Sequence, residues 1–150
     1  LASIVAQITT WRTLIERHRP EVVLKIDSDV LLMRRYSPDA AAIEGQTENG
    51  KSLLGGAYSF PASALLQRYP GGAEEDEIRS WSGMSNLLED RIITGMLAEE
   101  VPLKPMDHHL GFHPFSHDLA EEFTFIEFGR LGRCRNPLLD RETAMRRHLT

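Results

Sequence analysis

One cysteine, Cys134, stands alone in this sequence, which excludes an internal disulfide and a zinc centre built from several thiolates. A lone thiol fits a reducing compartment. No apolar run approaches the roughly 20 residues needed to span a bilayer, and the N-terminus carries no signal-like pattern. Positive charge is also scarce: 17 Lys and Arg against 22 Asp and Glu leave a net charge of -5. That balance provides no electrostatic footprint for nucleic acid or an anionic membrane. The one locally basic stretch, RLGRCRNPLLDRETAMRRH, reads as a solvated helix face.

What is present is a globular composition, 41% hydrophobic and 26% charged over 150 residues, enough for a single core in one domain or part of one. No internal repeat or low-complexity tract divides it. The chain opens at Leu1 directly into a helical pattern, so a further segment is expected upstream.

From Ala2 to His18 the apolar residues Ile4, Val5, Ile8, Trp11, Leu14 and Ile15 recur at helical spacing, and Pro20 ends the pattern. Val22 to Ile26 then reads as a short strand covered on both faces, the signature of an α/β sheet. Two aspartates follow at once in VVLKIDSDVLLM. Their like charges repel, and desolvating them is costly. A tight turn in which Asp27 or Asp29 caps the next segment is one explanation. A hard divalent cation held between the two carboxylates is the other. The carboxyl edge of an α/β strand is where such folds place ligands.

Downstream, SPDAAAIEGQTENGK reads as a short helical turn and a polar loop, and SLLGGAYSF as a strand interrupted by Gly55 and Gly56. Those glycines mark a bulge or a close backbone approach to a ligand. Pro61 predicts the first position of a helix running to about Tyr69, with Ser59 near its cap. PGGAEEDEIRS reads as a mobile acidic loop. In SNLLEDRIITGMLAEE, Leu87, Leu88, Ile92 and Met96 share one helical face. Glu89 and Asp90 open that helix, either as complements to its dipole or as active-site carboxylates projecting from a fixed element. VPLKPMD is extended, and EFTFIEF has a strand period. A closing helix is expected from about Leu138 to Leu149. MDHHLGFHPFSHD carries His108, His109, His113 and His117. Pro114 opposes a regular helix there, which favours a loop offering one imidazole to a distant metal over a self-contained site.

In this order, VVLKIDSDVLLM, GGAYSFPASALLQRY, LEDRIITGMLAEEVPLK and GFHPFSHD resemble segments of the GT-A glycosyltransferases, in particular the fringe and core galactosyltransferase-like branch. The resemblance implies an α/β fold of GT-A, Rossmann-like type: a mixed sheet flanked by helices, with the nucleotide-gripping strand-helix units upstream. Residues 1–150 would then be a single partial catalytic domain, its metal and acceptor half. The implied activity is transfer of a sugar from a nucleotide-sugar, a UDP-sugar by preference, to a hydroxyl of a glycan, protein or lipid. Inversion is the expected outcome, assisted by manganese or magnesium.

Carried over by position, Asp29 would be the principal aspartate ligand of the metal, Asp27 its partner, and His113 the ligand arriving from the late loop. Asp27, Ser28, Asp29, Gly55 and Gly56 would bind the donor complex, and Gly55, Gly56 and Tyr58 would also shape the acceptor side. Asp90 would act as the base, with Glu89 beside it. Ser28 replaces a common acidic residue of the branch's triplet, and the branch's paired cysteines are absent. A cytoplasmic bacterial protein would account for both departures; a Golgi-lumenal one would need an anchor upstream. A haloacid-dehalogenase-type phosphatase also places two aspartates after an apolar strand, but it wants Thr or Val where Leu31 stands. A third reading is a non-catalytic α/β module whose acidic turn is structural.

Overall fold

The computed structural model describes residues 2–28, 30–48, 52–82, 89–106, 108–110 and 124–127. Its elements run α1 (Ala2–His18), β1 (Val22–Ile26), β2 (Val30–Leu32), β3 (Ile43–Glu48), β4 (Ser52–Pro61), α2 (Ala62–Arg68), α3 (Glu75–Ser82), α4 (Glu89–Leu97), β5 (Leu103–Pro105), β6 (His108–Leu110) and β7 (Phe125–Glu127). The fold is α/β: a mixed four-stranded sheet flanked by helices, with a second, three-stranded sheet. Strand order is β1-β4-β3-β5 in the first and β2-β7-β6 in the second. In the larger sheet, β4 pairs antiparallel with both β1 and β3, and β3 pairs parallel with β5.

Alternation along β4 assigns its two faces. Tyr58 and Phe60 enter the main core with Ile4, Ile8 and Ile15 of α1, Leu65 of α2, Ile78 of α3 and Ile93 and Met96 of α4. Ala57 points the other way, into a smaller cluster with Val30 and Phe125 of the second sheet. Strand β1 follows suit, Val23 packing on the main core and Leu24 on the smaller cluster. It is thus covered in part on both faces, as its composition predicts, but among the described strands it lies at the sheet's edge.

Helix α1 has the predicted bounds. Arg17 and His18 sit in its last turn, where their positive side complements the dipole, and Arg19 closes it with a left-handed φ of 50° and an N–H bonded to Ile15 O at 2.8 Å. Leu14, although in phase with the apolar residues, is 46% exposed. With Trp11, His18 and Val23 it lines an apolar groove between α1 and β1.

Three expectations fail. Residues Ile43–Glu48 form a strand and not a loop. Their propensity is weak, but pairing on both sides, with β4 and β5, decides their conformation. The acidic stretch forms α3, whose first turn carries Glu75, Asp76 and Glu77, where their charges stabilise the dipole. Ser59 does not cap α2, since Pro61 is the N-cap residue and no side chain bonds there. Instead Ser59 is buried in β4 and shares a 2.7 Å hydrogen bond with the Tyr36 hydroxyl. Tyr36 donates to Glu44 Oε2 at 2.6 Å, so its single hydrogen is spent and Ser59 is the donor to Tyr36. The extended reading of VPLKPMD is met by β5, and that of EFTFIEF by β7 over Phe125–Glu127. The closing helix expected over Leu138–Leu149 lies outside the described residues.

Candidate functional site

Strand β1 ends on Asp27, whose N–H donates to Gly56 O at 2.6 Å, and Val30 N–H returns to Asp27 O at 3.1 Å. The second bond closes the tight turn that a D-x-D sequence allows. Opposite it, the β3–β4 register jumps from Gly45–Tyr58 to Gln46–Leu54, so Gly55, Gly56 and Ala57 are extra residues of a bulge. Gly56 serves both predicted purposes. A Cβ there would lie 2.6 Å from Val30 Cγ2 and 3.1 Å from Asp27 Cβ, so only glycine lets β4 approach the turn this closely.

The charge of Asp27 has a partner. Lys25 Nζ lies 2.6 Å from Asp27 Oδ1, the lysine side chain 17% and the aspartate 47% exposed. Residues two apart on a strand share a face, and Lys25 is also in direct register with Tyr58. Its ammonium stands 5.3 Å from the centre of the Tyr58 ring, within reach of a cation–π attraction. The sequence signal for Lys25 was a charged residue inside an otherwise apolar strand, in phase with Asp27.

Tyr58 is the meeting point. It is fully buried, Trp11 packs edge-on against its ring at 6.3 Å, and its hydroxyl has no hydrogen-bond partner among the described residues. Burial pushes that hydroxyl's pKa up, and the negative charges of Asp90, Glu89 and Asp27 push it further. The first of these carboxylates comes from the first turn of α4, as does the second, and the third from the turn after β1. The phenol stays a neutral O–H donor across the working pH range.

Helix α4 is held against β4 by Thr94. Its buried hydroxyl donates to Asp90 O at 2.7 Å and accepts from Leu53 N–H at 3.0 Å. The first turn carrying Asp90 is thereby tied to the strand carrying Tyr58. Asp90 Oδ1 also accepts from Arg91 N–H at 3.0 Å. Thr94 was not singled out from sequence, where a threonine inside a helix has no distinguishing mark.

Asp27 and Gly56 are thus brought together, the α4 turn carrying Glu89 and Asp90 is tied to the strand that also carries Tyr58, Gly55 sits in the bulge, and Ser28 is exposed beside Asp27. Asp29, His113 and His117 lie outside the described residues, while His108 and His109 belong to β6. Among the described residues no group of three His, Cys, Asp or Glu side chains converges as a metal site. Asp27 nevertheless offers the hard oxygen donor that magnesium and manganese take. No helix of the described residues is long and apolar enough to cross a membrane. No family model, curated protein or solved structure matches the chain.

Proposed function

We propose that this chain carries the metal and acceptor half of a GT-A-type glycosyltransferase. It would move a sugar from a nucleotide-sugar, a UDP-sugar by preference, to an acceptor hydroxyl with inversion. The observation that supports the reading is geometric: the Asp27 turn is bonded to Gly56 of β4, and Thr94 ties the first turn of α4, which carries Glu89 and Asp90, to Leu53 of the same strand. On this reading Asp27 would belong to the donor side and Glu89 and Asp90 to the acceptor side. The resemblance of the four sequence segments agrees with this division of labour.

Asp27 would hold the cation, with Asp29 and His113 completing its ligands. When bound, manganese or magnesium supplies positive charge to the departing diphosphate. Asp90, fixed through Thr94, would accept the proton of the acceptor hydroxyl as its oxygen bonds to the anomeric carbon. The bond between that carbon and the diphosphate oxygen breaks, its electron pair leaving with the nucleoside diphosphate. Glu89 adds negative charge beside the base.

The test separates binding from chemistry. With manganese and a panel of UDP-sugars, the full-length protein should release UDP in an acceptor-dependent manner. Asp27→Ala should abolish UDP binding with the fold kept, whereas Asp90→Asn should bind UDP normally and lose turnover by about 100-fold or more. Equal effects of the two substitutions on binding and turnover would refute the assignment.

A further inference from the structure

Helix α3 is more lightly anchored than the helices on either side of it. Among residues 75–80 of α3, whose side chains are described, only Ile78 is buried. By contrast α4 buries every residue from Ile92 to Leu97, and α2 buries Ala62, Ala64 and Leu65. At eight residues α3 is too short to persist as a helix away from a supporting surface. Ahead of it Ala73 is only partly buried against the main core, and the glycine pair before that is unpacked. A side chain at Gly71 would meet nothing, and one at Gly72, whose φ is +108°, would meet only Arg12 Nη1 at 3.8 Å. Segments with so few buried apolar contacts open locally while the rest of a protein stays folded.

The other anchor is ionic. Arg68 of α2 bonds to Glu77 of α3, and the same Nη2 lies 3.3 Å from Glu99 Oε2 in the connection after α4. The guanidinium also stands 5.6 Å from the centre of the Tyr69 ring. Stripping a largely buried arginine of its carboxylate is unfavourable, but here a second carboxylate is already in place.

We propose that α3 is a latched flap: it undocks from the core as a unit, and Arg68 is its latch, held by Glu77 and Glu99 when the flap is docked and by Glu99 alone when it is open. This device stands independently of the transferase reading. While docked, Glu77 and Glu99 share one guanidinium; once Glu77 leaves, Glu99 takes it whole. The strengthened Arg68–Glu99 contact offsets part of the Arg68–Glu77 contact that opening breaks. A contact stronger in the open state than in the docked one shifts the equilibrium toward opening. What opening uncovers is the apolar seat of Ile78 in the main core, where α3 packs against α1 and α4.

Native-state hydrogen–deuterium exchange of the full-length protein, read by mass spectrometry on peptides covering α3 and α4, tests this. In wild type the amides of α3 should exchange about 100-fold or more faster than those of α4. Glu77→Gln removes the docked contact and should speed α3 exchange about threefold. Glu99→Gln removes the contact that favours the open state and should slow α3 exchange about twofold, without slowing α4. The two neutralisations thus act in opposite directions, which two ordinary docking contacts would not do. Exchange of α3 at the rate of α4 would show that it opens only with global unfolding and would overturn the flap. Unchanged α3 exchange in Glu77→Gln, or unchanged or faster α3 exchange in Glu99→Gln, would overturn the latch.

Discussion

Lys25 and Tyr58 face each other across the β1–β4 pair, with the ammonium 5.3 Å from the centre of the phenol ring. The ring is thus partnered, while the hydroxyl at its far end is buried and unbonded among the described residues. A buried donor without a partner destabilises the free protein by about 1–3 kcal/mol. Tyr58→Phe keeps the ring and its contacts and removes that penalty. It should raise the melting temperature of the free protein, which thermal denaturation checks. A lower melting temperature would mean that the hydroxyl has a structural partner.

Thr94 joins α4 to β4 through one hydroxyl that both donates and accepts. Thr94→Val preserves the side-chain volume but leaves the Leu53 N–H without this acceptor. It should destabilise the fold by about 1–3 kcal/mol in chemical denaturation. Thr94→Ser retains the hydroxyl and should lose less than half of that.

Gly56→Ala places a methyl group 2.6 Å from Val30 Cγ2 and against Asp27. Overpacking of this kind costs about 1–3 kcal/mol. Relief requires the bulge or the Asp27 turn to shift, so the same substitution should weaken manganese-dependent UDP binding. By contrast, Gly71 has open space around the corresponding position, and Gly71→Ala should leave binding unchanged.

All three tyrosines, Tyr36, Tyr58 and Tyr69, have their pKa raised, burial being the largest cause in each case. Glu44, which accepts the Tyr36 hydrogen bond, adds to the effect there. A phenol whose folded pKa exceeds its unfolded value contributes stability that is fully present below the unfolded pKa. That contribution is lost as pH rises above about 10. Stability should therefore fall steeply on the alkaline side, and tyrosinate absorbance should appear together with unfolding. Gradual ionisation of a folded protein near pH 10, the ordinary tyrosine value, would contradict these environments.

Local signals made much of this legible from sequence. The period of α1, the apolar run of β1, the glycine bulge of β4 and the acidic opening of α4 all depend on residues close together in the chain. Strand β3 was hidden because Ile43–Glu48 is extended only by virtue of its two neighbours. Helix α3 was hidden because glycines preceding it masked three acidic residues at its start. At the site, the carboxylates were visible but their companions were not. Lys25 matters through its register with Tyr58, and Thr94 through a bond to a strand forty-one positions away. Pairing across a sheet and packing of a helix on it create both roles.

The most direct test of the account is titration of UDP into the full-length protein, in manganese and in chelator, with Asp27→Ala as the control. Saturable binding that requires manganese and disappears in Asp27→Ala is the expected result. Absence of UDP binding under either condition, or binding indifferent to manganese and to Asp27, would contradict the assignment of this site to a metal-bound nucleotide-sugar.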